Sequence, residues 1–280
     1  MSMKREVVIL SAVRTPTGRF QGSLSSLPAT RLGAMVIAEA VKRAGIPDAT
    51  LIDEVLMGNV ISAGLGQAPA RQAVIQAGLP ASIGATTINK VCGSGMKTVM
   101  LAAQAIRSGD GDLYIAGGME SMSRAPFLVD ARTGLLRFGH GQLTDALLHD
   151  GLWDSIVDWG MGDAAEYIAE KFNISRLEMD EYALQSHAKA IHAIDHGHFR
   201  EEILPVEVPG KRGETALVDT DESPRRDTSL EALQKLKPAF KKDGKVTAGN
   251  SPGLNDGAAA LAVASRDLAE KLGVSPLARI

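Results

Sequence analysis

The sequence predicts an α/β protein, a mainly parallel sheet with helices, interrupted by an inserted and mostly helical segment. Three observations predict it. Short β-branched apolar runs alternate with segments of helical periodicity up to residue 118. Glycine and proline close most of these elements. After residue 119 the alternation stops, and its character returns only near residue 246.

Residues 6–10 (EVVIL) form a continuous apolar run, read as a buried strand broken by Pro16 and Gly18. Residues 31–44 place Leu32, Met35, Val36, Ala40 and Val41 at helical spacing, with Glu39, Lys42 and Arg43 as polar face; Gly45 and Pro47 end them. Residues 54–61 read as a second strand and 69–77 as a short helix before Gly78. Residues 85–91 are rich in β-formers, 94–107 are a strong helix ended by Ser108-Gly109, and 112–118 are a strand running into a glycine pair. Residues 119–160 lack clean periodicity. Two helices with charged faces are expected at 163–172 and 176–196, then a polar loop with a short strand over 205–228. GAAALAVAS, closing at residue 265, suits a buried strand. The expected domains are 1–119, an inserted 120–248, and 249–280 returning to the first.

Composition excludes several functions. Thirty basic and 33 acidic residues give a formal net charge of −3, so nothing here argues for nucleic acid or an anionic membrane as partner. The single cysteine excludes an intrachain disulfide and a zinc–cysteine cluster. No apolar run reaches transmembrane length, and the first is too short for a signal peptide. A cytoplasmic location is expected. His192 and His196, four apart on a predicted helix, have a metal-ligand spacing. No glutamate stands between them in the zincin pattern, so a solvated helix face is the expectation and no metal is assigned.

Cys92 carries the chemistry. Asn89-Lys90-Val91-Cys92-Gly93-Ser94-Gly95-Met96 joins a strand to a helix. A cysteine there sits where unpaired backbone N–H groups and the positive end of the helix dipole converge, and both favour the thiolate. Gly93 and Gly95 permit a sharp turn and let an acyl carbon approach the sulfur, as in the strand-to-helix turn of serine hydrolases. Sulfur suits a thioester donor, because thiol-for-thioester exchange is nearly isoenergetic. The competing reading is a small, inert apolar cysteine, and local chemistry leaves both open.

VILSAVRTPTGRFQGSL (8–24), INKVCGSGMKTVMLAAQAI (88–106), YIAGGMESMSRAP (114–126) and VTAGNSPGLNDGAAA (246–260) together resemble the thiolases, in the acetyl-CoA acetyltransferase branch. The resemblance runs through essentially the whole chain. It implies half of a layered αβαβα fold, with the inserted segment as a loop domain that holds coenzyme A. It implies that Cys92 takes the acyl group in a ping-pong reaction, after which a second acetyl-CoA carbanion attacks; the reverse is thiolysis. Leu152, Met161, Arg225, Phe240, Ala248, Ser251 and Leu254 fall at or beside positions that line the nucleotide and pantetheine. Coenzyme A is then substrate, with no permanently bound cofactor, and the chain is expected to form a homo-oligomer, a dimer or tetramer.

Two departures bear on acyl-chain preference. Gly160-Met161-Gly162 stands where the family has His-Met-Gly, and Ser251-Pro252-Gly253 where it has Ala-Ser-Gly. The family's Asn-Glu-Ala-Phe, Gly-His-Pro and Cys-x-Gly motifs do not occur. The expectation is an incomplete thiolase, poorly active alone, whose Cys92 helix exposes Met96, Val99, Met100, Ala103 and Ile106. Its alternative is a non-catalytic acyl-CoA-binding or scaffold protein. VCGSGM and GGMESMSRAP argue against a ketoacyl synthase.

Overall fold

The computed structural model describes residues 5–132, 139–210 and 213–280. The first β-branched run forms β1 (Val7–Arg14), followed by the two-residue β2 (Gly18–Arg19) and α1 (Ala29–Arg43). Lys42 and Arg43 lie in the last turn of α1, where the helix dipole favours cations, and Gly45 follows at φ +63°. Then come β3 (Glu54–Gly58), α2 (Pro69–Gln76), β4 (Gly84–Ile88), α3 (Ser94–Ser108) and β5 (Leu113–Ser121). Gly109 closes α3 in the left-handed conformation at φ +86°.

Beyond β5, the described residues up to 160, aperiodic in sequence, fold into short pieces. These are β6 (Phe127–Leu128), β7 (Thr144–Asp145), a π-helical turn Leu147–Leu152, β8 (Trp153–Asp154) and β9 (Trp159–Gly160). The helices follow as α4 (Met161–Lys171) and α5 (Arg176–Asp195). Ser175 and Glu178 cap α5 reciprocally, each satisfying a free backbone N–H at the helix start. Next are β10 (Val206–Pro209), β11 (Thr215–Val218), α6 (Leu230–Gln234), β12 (Asn255–Ser265), α7 (Arg266–Leu272) and β13 (Ala278–Arg279).

The α/β class is as expected, but the sheet is mixed rather than mainly parallel. Its order is β13-β1-β12-β5-β3-β4, with β2 also on β12. Among its described strand pairs, β3–β4 and β3–β5 run parallel and the rest antiparallel. The returning strand β12 enters between β1 and β5 and runs antiparallel to both. Strand alternation then builds two layers. Val55 and Met57 of β3 and Ile115 of β5 join Leu32, Val36 and Ile37 of α1 in one core. Leu56, Tyr114 and Ala116 turn the other way, onto Ala102, Ala103 and Ile106 of α3.

The chain divides into two compact units, 1–125 with 201–220 and 255–280, and 126–200 with 221–254. The stretch 201–220 thus belongs with the sheet and not with the inserted segment. Val206 and Val208 alternate inward into the sheet core, Leu204 N donates to Arg14 O at 2.8 Å, and the Arg14 guanidinium meets Glu202 at 2.7 Å. Among the described residues no helix is long and apolar enough to cross a membrane.

Candidate active site

Cys92 lies in the turn between β4 and α3, exposed, two residues before the helix begins. The turn is knit by its own side chains. Val91 N donates to Asn89 Oδ1 at 2.9 Å. Ser94 Oγ accepts from Lys90 N at 2.8 Å and donates to Val91 O at 2.6 Å. Gly93 N donates to Lys90 O at 3.1 Å.

The sharp turn does not use its glycines as expected. Gly93 has φ −85°, while Val91 is held at φ +48°. A β-branched residue there is strained, and such strain persists only where surrounding bonds over-determine it. The glycines serve close approach instead. A Cβ on Gly58, the last residue of β3, would stand 2.7 Å from Gly95 N, and one on Gly118 would stand 3.3 Å from Gly95 Cα. Thr98 Oγ1 donates within this layer, 3.0 Å from Gly117 O. The start of α3 therefore rests on bare backbone of β3 and β5, and Cys92 is carried at the ends of these strands.

The outer face of α3 is only partly as expected. Met96 and Met100 are exposed, at 74% and 52%, and Val99 is half-buried. Ala103 and Ile106 are buried, because the helix turns them onto Leu56, Tyr114 and Val263.

Leu152, Met161, Arg225, Phe240, Ala248, Ser251 and Leu254 all fall in the second unit. Leu152 ends the π-helical turn and Met161 opens α4. Phe240 packs on Gly162, where a Cβ would come within 2.1 Å of its ring. Arg225 is exposed; its N–H donates to His187 Nδ1 at 3.2 Å and its guanidinium faces Asp227 at 3.8 Å.

Ala248 and Ser251 sit on a loop held by two buried carboxylates that sequence reasoning missed. Glu166 of α4 accepts from Lys245 N and Val246 N, both at 2.8 Å. Asp180 of α5, fully buried, pairs with Arg176 at 2.7 Å and accepts from Asn250 Nδ2 at 2.9 Å. The only signal was an acid within each amphipathic helix, which usually marks a solvated face.

The Thiolase N-terminal domain model matches residues 7–267. The chain belongs to the thiolase family. An acetyl-CoA acetyltransferase from Pseudomonas aeruginosa is 54% identical over 277 residues, 99% of this thiolase and 70% of the relative. Acetyl-CoA acetyltransferase 2 of Arabidopsis thaliana is 53% identical, over 99% of this thiolase and 68% of the relative. The crystal structure of the Bacillus anthracis acetyl-CoA acetyltransferase superposes with TM-score 0.95 at 40% identity, over all of this thiolase and 70% of that chain.

One atom in the second unit of the thiolase stands out chemically. Ser251 Oγ is buried and has no hydrogen-bond partner among the described residues. A buried hydroxyl without a partner costs about 1–3 kcal/mol, so it asks for a ligand. Met161 and Phe240, 43% and 51% exposed, present apolar surface in the same unit. His192 and His196 stack with ring centroids 3.9 Å apart, and His196 Nδ1 bonds His192 O at 2.8 Å. His187 is taken by Arg225. Among the described residues no three His, Cys, Asp or Glu side chains are arranged to hold a metal ion.

Proposed function

We propose that Cys92 of this thiolase accepts the acyl group from a coenzyme A thioester, and that the second unit holds the coenzyme. The family's activity, acyl transfer between coenzyme A thioesters, is the activity of this enzyme. The Cys92 sulfur attacks the thioester carbonyl, the tetrahedral oxyanion collapses, and coenzyme A leaves as its thiolate. In condensation the methyl group of a second acetyl-CoA gives up a proton to a base, and the resulting carbanion attacks the acyl-cysteine, forming a carbon–carbon bond as the carbon–sulfur bond breaks and returns the Cys92 thiolate. In thiolysis the same steps run backwards. In this reading coenzyme A enters and leaves as substrate.

The observation that carries this reading is the exposed cysteine on a strained turn, pinned by hydrogen bonds on either side of it, at the start of α3. Strain of that kind clusters where a reactive atom must be held in place. For the coenzyme, the orphaned Ser251 hydroxyl and exposed Arg225 are the polar contacts, with Leu152, Met161, Phe240, Ala248 and Leu254 as apolar lining. A nucleophilic thiol that must stay reduced supports a cytoplasmic setting. The exposed Met96–Met100 face supports a homo-oligomer.

Isotope exchange tests the ping-pong step by itself. Labelled coenzyme A mixed with unlabelled acetyl-CoA should exchange label with no second acyl acceptor present, and Cys92→Ala should abolish the exchange. Thiolysis of acetoacetyl-CoA without any such exchange would defeat the acyl-enzyme reading.

A further inference from the structure

We propose that Glu120 is a positioning residue for Cys92, acting through a hydrogen-bond path that runs Glu120, Val60, Asn89, Val91. The proposal rests on the reading of Cys92 as nucleophile. Glu120 lies near the end of β5, half-buried. Its Oε2 accepts from Val60 N at 2.8 Å and its Oε1 from Asn59 Nδ2 at 3.0 Å. The same Asn59 amide donates to Met119 O at 3.1 Å, and Asn59 N donates to Ile88 O at 3.0 Å. The loop after β3 is thus pinned to β5 on one side and to the end of β4 on the other.

Val60 passes the constraint on. Its carbonyl accepts from Asn89 Nδ2 at 3.3 Å, and Asn89 Oδ1 accepts from Val91 N at 2.9 Å. Val91 is the residue held at φ +48°, one position before Cys92. Without the Asn89 acceptor, Val91 is held only through its carbonyl, by Ser94 N at 3.0 Å and Ser94 Oγ at 2.6 Å, and its N–H no longer opposes a rotation that would shift Cys92 from the start of α3.

The chemistry calls for a carboxylate. Asn59 Nδ2 and Val60 N are both donors, so the side chain facing them must accept twice, and only an ionised acid does so without a competing donor. Burial and the nearby Asp256 charge both act against ionisation here, and the bonds from Val60, Ile61 and Asn59 oppose them.

The test uses the whole chain, whose only cysteine is Cys92. Glu120→Gln, Asn89→Ala and the double variant are compared with the unaltered protein; Asn89 is exposed, so its variant folds even where the buried change does not. Single-turnover acetylation of Cys92 by acetyl-CoA should slow about tenfold at saturation in each single variant, with half-saturation within about twofold, because misplacement affects reaction more than binding. The double variant should be no slower than the worse single one, since both cut one path. Multiplying effects, a proportional rise in half-saturation, or a Glu120→Gln rate within about twofold of the unaltered chain would overturn the proposal. If acetyl-CoA labels Cys92 in no form, the nucleophile reading fails. Alkylation of Cys92 by iodoacetamide then decides the path alone, slowed non-additively if it exists and unchanged if it does not.

Discussion

The N–H of Val91 donates to Oδ1 of Asn89, two residues back, at 2.9 Å, and this bond closes the turn that carries Cys92 while Val91 stands at φ +48°. A short polar side chain therefore holds a β-branched residue in a conformation that costs an L-residue about 1–2 kcal/mol. The strain is local and removable, and it separates two substitutions that delete the same half-exposed side chain.

Val91→Gly should be more stable than Val91→Ala by about 1 kcal/mol, because only glycine occupies positive φ without penalty. Urea denaturation of the two variants measures the difference. Equal stabilities would mean that the turn relaxes once valine is gone.

Gly58 faces a different constraint. A methyl group on it would stand 2.7 Å from both Gly95 N and Ser94 C, so there is no space for a side chain, and the neighbours are backbone. Gly58→Ala should cost about 1–3 kcal/mol by overpacking and should displace the start of α3. Denaturation reads the first effect, and a slower acylation of Cys92 reads the second.

Ser251→Ala makes stability and binding diverge. Removing an unpartnered buried hydroxyl should leave the fold unchanged or raise its stability by about 1 kcal/mol. If that hydroxyl bonds coenzyme A, affinity should fall about fivefold, as one net hydrogen bond is lost. Titration calorimetry with coenzyme A and a thermal melt of the same preparation check both halves.

Glu120 sets a pH dependence. Burial, then the Asp256 charge, hold its carboxyl above the usual carboxylate range, against the bonds from Val60, Ile61 and Asn59. A raised folded-state value means the folded protein takes up the proton more readily than the unfolded chain. The stability this gives is fully present below the unfolded value and is lost as pH rises through the folded one. Glu120→Gln does not titrate there. Relative to that variant, the unaltered protein should lose stability as pH rises from the ordinary carboxylate range through the raised folded-state value, measured by urea midpoints across a pH series.

Much of the sheet unit was legible because its helices and strands obey simple periods. Leu32, Val36 and Ala40 mark the inner face of α1 by spacing alone, and all three are buried. The direction of β12 was not legible, since GAAALAVAS is apolar on both faces and periodicity says nothing about which neighbours it enters between. Over 205–228 the sequence suggests one short strand in a polar loop, where the structure has the hairpin of β10 and β11; Val206 and Val208 alternate inward, and the polar residues around them mask the second strand. At the site, the glycine-flanked position of Cys92 singles it out but leaves its role open, and only the resemblance to the thiolases implies one. The strain was assigned to Gly93 and Gly95 by default, and only the backbone puts it on Val91. Glu166, Asp180 and Glu120 were invisible as positioning groups, because a lone acid in an amphipathic segment looks solvated until its partners are known.

The central claim is that the acyl group resides on Cys92 during turnover. Mass spectrometry of the protein, acid-quenched after mixing with acetyl-CoA and digested, tests it most directly. The peptide bearing Cys92 should gain one acetyl group, lose it on addition of coenzyme A, and gain none in Cys92→Ser. Acetyl transfer that persists in Cys92→Ser, or an acetyl group on a different residue that coenzyme A discharges, would contradict it.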